Sequence, residues 1–427
     1  MTAKILITGL MDKFFTQSLS LSLFTMPALV LTVRHGVNIS AIVILVLSIV
    51  VLIYRFQIKI ELNKKERILI FSLLVLPIVI ALDVILRDLN LRYLDYYLRF
   101  VLVIPIYLAL RKIKTSVMPL TIGILVGSLG AGFFALYEYY YVNNHGLTDY
   151  ISLGHMIKIN FGNLSLLLGM MSLAGLILVK QIPYKYTYTV ISILAFILGV
   201  SGSIISGARG GWIAIPFFLS LFILYFPGKQ NLKIFSALSL VLGMLLIYYS
   251  NSYVNSRIDL AYNNTEAYFS NDKSNTTKSS TGTRLELWKA AGIMIIEHPL
   301  LGVGSGQFKQ ALKDKIDAGE VKNIELYGHV HNEPLQIVVT TGIFGLIAYL
   351  ALYAGSSYFF YSSLMARHTN NTTYLSFLGL LTVGAYFIFG LTNYSFGHHV
   401  MVLFFAIMIV IIAGMISSIE NKVNEKR

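Results

Sequence analysis

Long apolar runs separated by short polar breaks dominate the chain. About twelve of them approach the roughly 20 residues that cross a bilayer as a helix. They fall at 15–33, 38–56, 67–86, 93–110, 117–141, 161–179, 186–206, 211–227, 232–250, 335–363, 372–391 and 399–419. One long polar stretch, 251–331, interrupts the series. The expected fold is all-α: a polytopic integral membrane protein with about 12 transmembrane helices and one large extramembrane loop. The organisation that follows is helices 1–9 in 1–250, a loop or cap with short helices in 251–332, and helices 10–12 with a tail in 333–427.

The polar stretch changes character along its length. Asn263-Asn264-Thr265 through Ser279-Ser280-Thr281-Gly282 is turn-rich and polar. Arg284 through Glu297 then reads as a helix of about four turns, ended by His298-Pro299. It is too short and too charged to span, so it belongs on the membrane surface or over the bundle. A second helix-favouring segment runs from Gln307 to Ile316, after the glycine cluster Gly302-Val303-Gly304-Ser305-Gly306. That cluster has no preceding strand and so reads as a flexible turn, not a nucleotide loop. Pro334 suits a first helical turn and Asn332 a cap, which starts the tenth span there.

Composition agrees. The chain is 56% hydrophobic and 12% charged, with mean hydropathy +0.71, a surface that water would not solvate. With no cysteine, disulfides and thiolate chemistry are excluded. The first apolar run is read as a retained span, not a cleaved leader. Net charge +13 would point to nucleic acid in a soluble protein. Here the basic residues cluster in alternate loops: Lys59, Lys64, Lys65 and Arg67; Arg111, Lys112 and Lys114; Lys422, Lys426 and Arg427. That asymmetry puts both termini inside and 251–331 outside. Tyrosines at span ends, such as Tyr137, Tyr139, Tyr140 and Tyr141, form an interfacial belt.

Several polar groups then stand at the outer edge. Arg209 lies in Ser206-Gly207-Ala208-Arg209-Gly210-Gly211-Trp212, between the seventh and eighth spans. An arginine there opposes the positive-inside trend, and a helix start beside a guanidinium suits a phosphate. Arg284 precedes Trp288 by one helical turn, so the two share a face. Trp212 and Trp288 are the two tryptophans of the chain, each near a candidate arginine. His329-Val330-His331-Asn332-Glu333-Pro334 sets two imidazoles, an amide and a carboxylate before a span. His331 meets the positive end of that helix, which favours a neutral base, with His329, Asn332 or Glu333 in support. Histidines two residues apart do not match a zinc helix pattern, so no metal is expected. Arg99 and Asp83, inside spans, are further candidates or a structural ion pair. His398-His399 reads as interfacial.

These features together resemble the O-antigen ligase / O-antigen polymerase superfamily. The likeness covers roughly 160–420 and is carried by Arg209 at its glycine-rich junction, Gly282-Thr283-Arg284 before Trp288, His298-Pro299-Leu300-Leu301-Gly302-Val303-Gly304, and His331-Asn332-Glu333 leading to Thr341-Gly342-Ile343-Phe344-Gly345. The spacing is most similar to O-antigen ligase. The resemblance implies a GT-C-like glycosyltransferase of the Gram-negative inner membrane, active at its periplasmic face, inverting and metal-independent, with no cofactor. It implies undecaprenyl-pyrophosphate-linked polysaccharide as donor and lipid A–core oligosaccharide as acceptor, in lipopolysaccharide biosynthesis. Arg209 and Arg284 would then hold the pyrophosphate and His331 would activate the acceptor. One departure is Asn393 in Leu391-Thr392-Asn393-Tyr394, where some ligases carry an acid.

The chemistry agrees with the resemblance. Pyrophosphate is a good leaving group, so charge stabilisation matters more than acid catalysis, and no paired carboxylates of the hydrolase kind are evident. The alternatives within the superfamily are O-antigen polymerase and protein O-oligosaccharyltransferase. A lipid or solute transporter would instead concentrate charge near mid-membrane and repeat its halves.

Overall fold

The computed structural model describes residues 2–55, 61–142, 150–151, 156–228, 230–231, 233 and 280–424. The expected ninth span, 232–250, and the first part of the polar stretch lie outside the described residues. Helices α1 (Thr2–Leu29), α2 (Gly36–Tyr54) and α3 (Lys64–Leu86) open the chain. The expected fourth span is broken into a 3-10 turn at Leu91–Leu94, α4 (Asp95–Leu102) and α5 (Ile104–Lys112). The break falls just before Pro105, whose ring cannot continue a hydrogen-bonded helix. There follow α6 (Met118–Tyr137), α7 (Lys158–Ala174), α8 (Lys185–Ile205) and α9 (Ile215–Tyr225). After the undescribed segment come α10 (Ser280–Glu297), α11 (Phe308–Asp317), α12 (Glu333–Ala366), α13 (Asn370–Gly390) and α14 (His399–Asn424).

Among the described residues, nine helical stretches are long and apolar enough to cross a membrane, and Arg209–Tyr225 is a shorter apolar one. The protein is a multi-pass membrane protein. α14 is the central helix, with its apolar positions from Met401 to Ile416 buried apart from half-buried Leu403. α6, α7 and α8 cross closely through small residues. Ser128 Oγ donates to the Ala195 carbonyl and Ser165 Oγ to the Gly199 carbonyl, both at 2.7 Å. Small residues and interhelical hydroxyl bonds are how helices associate where water supplies no hydrophobic drive.

The two ends of the bundle differ. At one end charges interlock: Arg111 with Glu66 at 2.8 Å, Lys65 with Glu420 at 2.6 Å, Arg55 with Asp12 at 2.7 Å. These include the basic loops assigned to one side from sequence. The opposite end carries α10, α11 and the junction after α13.

α10 and α11 form a cap with its own core, made of Leu287, Ala290, Met294, Phe308, Leu312 and Val330. Val339, from the first turns of α12, joins it. This corrects the expectation of one tenth span over 335–363. Gly342 has φ 64 and ψ −160 inside α12, a conformation open to glycine but not to side chains. Residues 343–366 alone reach roughly 36 Å at 1.5 Å per residue, enough to span. Residues 333–341 are a separate helical segment under the cap.

The glycine cluster causes that break, and it is pinned instead of flexible. The amides of Val303 and Gly304 donate to the Val339 and Thr340 carbonyls at 2.8 and 2.9 Å, and Ile343 N–H donates to the Pro299 carbonyl at 3.0 Å. Asp83 accepts from Ser305 N–H at 2.7 Å and pairs with Arg87 at 2.9 Å. Arg87 in turn donates to the Leu301 and Gly302 carbonyls. Asp83 therefore fastens the turn to the end of α3. Arg99 pairs with Asp95 at 2.9 Å and donates to the His399 carbonyl at 3.1 Å, a strut between α4 and α14.

Candidate active site

Val330 is the keystone of the loop that carries the histidines. Its side chain is buried in the cap core. Its amide donates to Gln336 Oε1 and its carbonyl accepts from Trp288 Nε1, both at 3.0 Å. Both flanking imidazoles are thereby placed. His331 has φ 54, in the left-handed region, and its amide donates to His329 Nδ1 at 3.3 Å. A neutral His329 then carries its proton on Nε2. The two rings meet edge-on with centroids 4.2 Å apart, and Tyr327 lies 5.5 Å from His331.

Asn332 and Glu333 do not orient the His331 ring, contrary to one expectation. The Asn332 side chain caps α12, accepting from Leu335 N–H at 3.0 Å, and donates to the Leu391 carbonyl at 2.9 Å. Glu333 is fully buried and accepts from Phe396 N–H at 2.9 Å. Both residues tie the start of α12 to the turn after α13. That turn brings in Tyr394 and also His398, which the sequence places at the interface. Tyr394 lies 5.5 Å from His329, and His398 lies 6.5 Å from it. Tyr394 shares a hydroxyl–hydroxyl bond of 3.0 Å with Tyr97. Asn393 donates to Asn160 at 3.2 Å and serves as a buried strut. His398 had no local signal, because its neighbour is nearly seventy residues away in the chain.

Arg209 reaches the same junction. It opens a 3-10 turn, Arg209–Ala214, after Gly207 at φ 68. A Cβ on Gly210 would stand 2.5 Å from Thr392 Oγ1, and one on Gly211 would stand 2.2 Å from Asn163 Oδ1. A side chain at Gly210 would push this junction away from the 391–394 turn, and one at Gly211 would push it away from α7. Trp212 points elsewhere, donating to Ser203 Oγ at 3.3 Å and packing on the bundle core.

The electrostatics of the cluster have one sign. Burial first, and then Arg209, hold the Arg284 guanidinium below its usual range. Burial, then Arg284 and His398, push His331 down to about 4. Burial, then His331, His398 and Arg284, push His329 down to about 3. Burial lowers His398 as well. Burial, with Arg284 and His398, thus adds to the helix end as a reason for a neutral His331. Among the described residues no acidic side chain pairs with Arg284, and no three His, Asp or Glu side chains converge as metal ligands. The His331 Nδ1 atom is buried and meets no protein partner there. Two guanidiniums beside a neutral imidazole can hold an anion and accept a proton in one place.

The comparisons with known proteins point the same way. Residues 193–350 match the O-antigen ligase family model. That segment holds Arg209, Arg284, Trp288, both histidines of the loop and the broken start of α12. The chain is also 26% identical over 391 residues to an uncharacterised protein of Haemophilus influenzae, covering 90% of this chain and 94% of that one. It is 26% identical over 230 residues to a Rickettsia conorii protein named "Putative polysaccharide ligase", covering 52% of this chain and 49% of that one. The resemblance to O-antigen ligase read from the residues therefore stands, and it supports a function of polysaccharide ligase or polymerase type.

Proposed function

We infer that the protein transfers polysaccharide from undecaprenyl pyrophosphate to a sugar hydroxyl of lipid A–core, at the periplasmic face of a Gram-negative inner membrane. The observation that carries this is the Trp288–Val330 bond that sets the helix of Arg284 against the loop of His331, where burial and Arg284 hold the imidazole neutral and Arg209 adds its charge. Arg209 and Arg284 bind the pyrophosphate oxygens. The acceptor hydroxyl oxygen attacks the anomeric carbon from the face opposite the pyrophosphate. His331 takes the hydroxyl proton, the glycosidic bond forms, and the carbon–oxygen bond to pyrophosphate breaks. A single displacement inverts the anomeric centre. The negative charge that grows on the leaving pyrophosphate falls between the two arginines, where fixed charges stabilise it without reorganisation. The residues named supply both charge and base, so the reaction runs without a metal ion or cofactor. His329, Tyr394 and His398 line the acceptor side, and Trp288 positions the loop.

Deleting the gene and separating the cell's lipopolysaccharide by size tests this reading. Core without polymer, with polymer retained on its lipid carrier, is the expected result. Core bearing a single repeat would assign polymerase activity instead. An intact ladder would exclude both and leave protein glycosylation or transport.

A further inference from the structure

The cap carries an apolar edge that its own core does not use. Ile296, Leu300 and Leu301 are 82%, 60% and 60% exposed. They lie at the end of α10 and in the turn that breaks α12. That turn sits where the spanning part of α12 begins. The Ile343 amide bonds the Pro299 carbonyl, and a Cβ on Gly342 would stand 2.1 Å from the Leu300 carbonyl oxygen. Immediately beyond, Ile343, Phe344 and Ile347 are 38%, 53% and 57% exposed. Their spacing puts them on one face of a membrane-spanning helix.

The neighbouring helix continues the same surface. Arg87 at the end of α3 holds the Leu301 and Gly302 carbonyls, and Leu82, Ile85 and Leu86 just before it are exposed. The turn is thus flanked on both sides by apolar faces of spanning helices. Arg87 lies where a guanidinium can stay at the polar boundary while its stem remains in apolar surroundings. A soluble cap edge with three large exposed aliphatic side chains would be a liability in water. One that continues a lipid-facing helix surface has an occupant ready.

We propose that the 296–301 turn is a hydrophobic wedge inserted among the acyl chains of the leaflet on the side of the candidate site, anchoring the cap to the membrane. Hydrocarbon of that leaflet fits because the Ile296, Leu300 and Leu301 side chains are aliphatic and continuous with two spanning helices, while Arg87 bounds them and Glu297, in the same turn, pairs back with Lys315 of α11. The wedge holds α10, and with it Arg284, at a fixed height over the bilayer. It rests on the membrane-spanning fold and not on the transfer chemistry, so its failure and that of the proposed reaction are separable.

The cysteine-free chain makes the test direct. Leu301→Cys, Ile347→Cys and Lys313→Cys are each labelled with an environment-sensitive fluorophore and reconstituted in phosphatidylcholine nanodiscs containing nitroxide-labelled lipid. Ile347→Cys reports the lipid-facing helix, and exposed Lys313→Cys, on α11, reports solvent. Leu301→Cys is expected to lose at least roughly half as much fluorescence to the nitroxide lipid as Ile347→Cys. An Ile296→Cys label should behave in the same way. Leu301→Cys and Ile296→Cys both quenched no more than Lys313→Cys, and quenched instead by aqueous iodide, would overturn the proposal. No turnover is needed for either result.

Discussion

Trp288 on α10 donates its indole N–H to the carbonyl of Val330, 3.0 Å away. That bond joins the helix bearing Arg284 to the loop bearing His331, so the proposed anion holder and the proposed base share one support. Trp288→Phe keeps an aromatic side chain and deletes the indole donor. A typical net hydrogen bond contributes about 1 kcal/mol, which corresponds to roughly a fivefold loss in transfer rate. The protein should remain at normal abundance in the membrane. A rate equal to wild type would show that the bond does not position the site.

The arginine assignment is tested by conservative exchange. Lysine retains charge but not the planar fork that engages two phosphate oxygens. Arg209→Lys and Arg284→Lys should each cost about 2–4 kcal/mol of transition-state stabilisation, measured as kcat/KM for lipid-linked donor with purified protein. Full activity in both variants would leave only diffuse charge at these positions.

His331 ionises at about 4 in the donor-free protein. Activity at limiting donor should therefore hold level down to roughly pH 5 and fall below it. Bound pyrophosphate cancels the repulsion from Arg284, so His331 becomes more basic in the complex. The acid limb of kcat, at saturating substrates, should consequently lie at higher pH than that of kcat/KM. Coincident limbs near the ordinary imidazole value of 6.5 would show that neither burial nor Arg284 lowers the base, and an acid limb unchanged in His331→Gln would exclude His331 as the base. His331→Ala should lose about 10²–10⁴-fold in rate, with donor binding retained.

The same lowered values give the fold a pH dependence. Between the unfolded imidazole value of 6.5 and the folded values of about 3 and 4 for His329 and His331, the unfolded chain binds more protons. Stability must then fall as pH drops through this window. Thermal unfolding in detergent should show Tm declining below about pH 6.5, with a shallower slope in His329→Gln/His331→Gln.

Gly342→Ala places a Cβ at φ 64 and ψ −160, 2.1 Å from the Leu300 carbonyl. Backbone strain and overpacking together should destabilise by roughly 2–5 kcal/mol. The readouts are a lowered Tm and reduced yield from membranes, with neighbouring Gly345 and the proposed catalytic groups untouched. An unchanged Tm would mean that the turn can retreat from α12.

The span pattern was legible because bilayer thickness imposes a length that apolar runs must meet. The helix ending at His298-Pro299, the one near Gln307 and the Asn332 cap were legible because proline and side-chain capping act locally. Gly342 was not. A glycine within an apolar run is ordinary in membrane helices, and its conformation is dictated by Pro299–Gly302, about forty residues earlier. Pro105 did carry a local signal for the broken fourth span, which the apolar run masked. In the site, Arg209, Arg284 and His331 stood out as ionisable groups at a membrane edge. Tyr394 and His398 did not, since only the bonds from Glu333 and Asn332 to the turn after α13 bring them there.

His331 occupies a backbone conformation that asparagine or glycine tolerates better. The left-handed region costs a side chain such as imidazole about 1 kcal/mol. His331→Gly and His331→Asn should therefore fold at least as well as the parent chain while losing the base. Stability and activity are opposed at this single position. Selection for robustness alone would drift toward the inert residue, and the base proposed for His331 is what would hold histidine there.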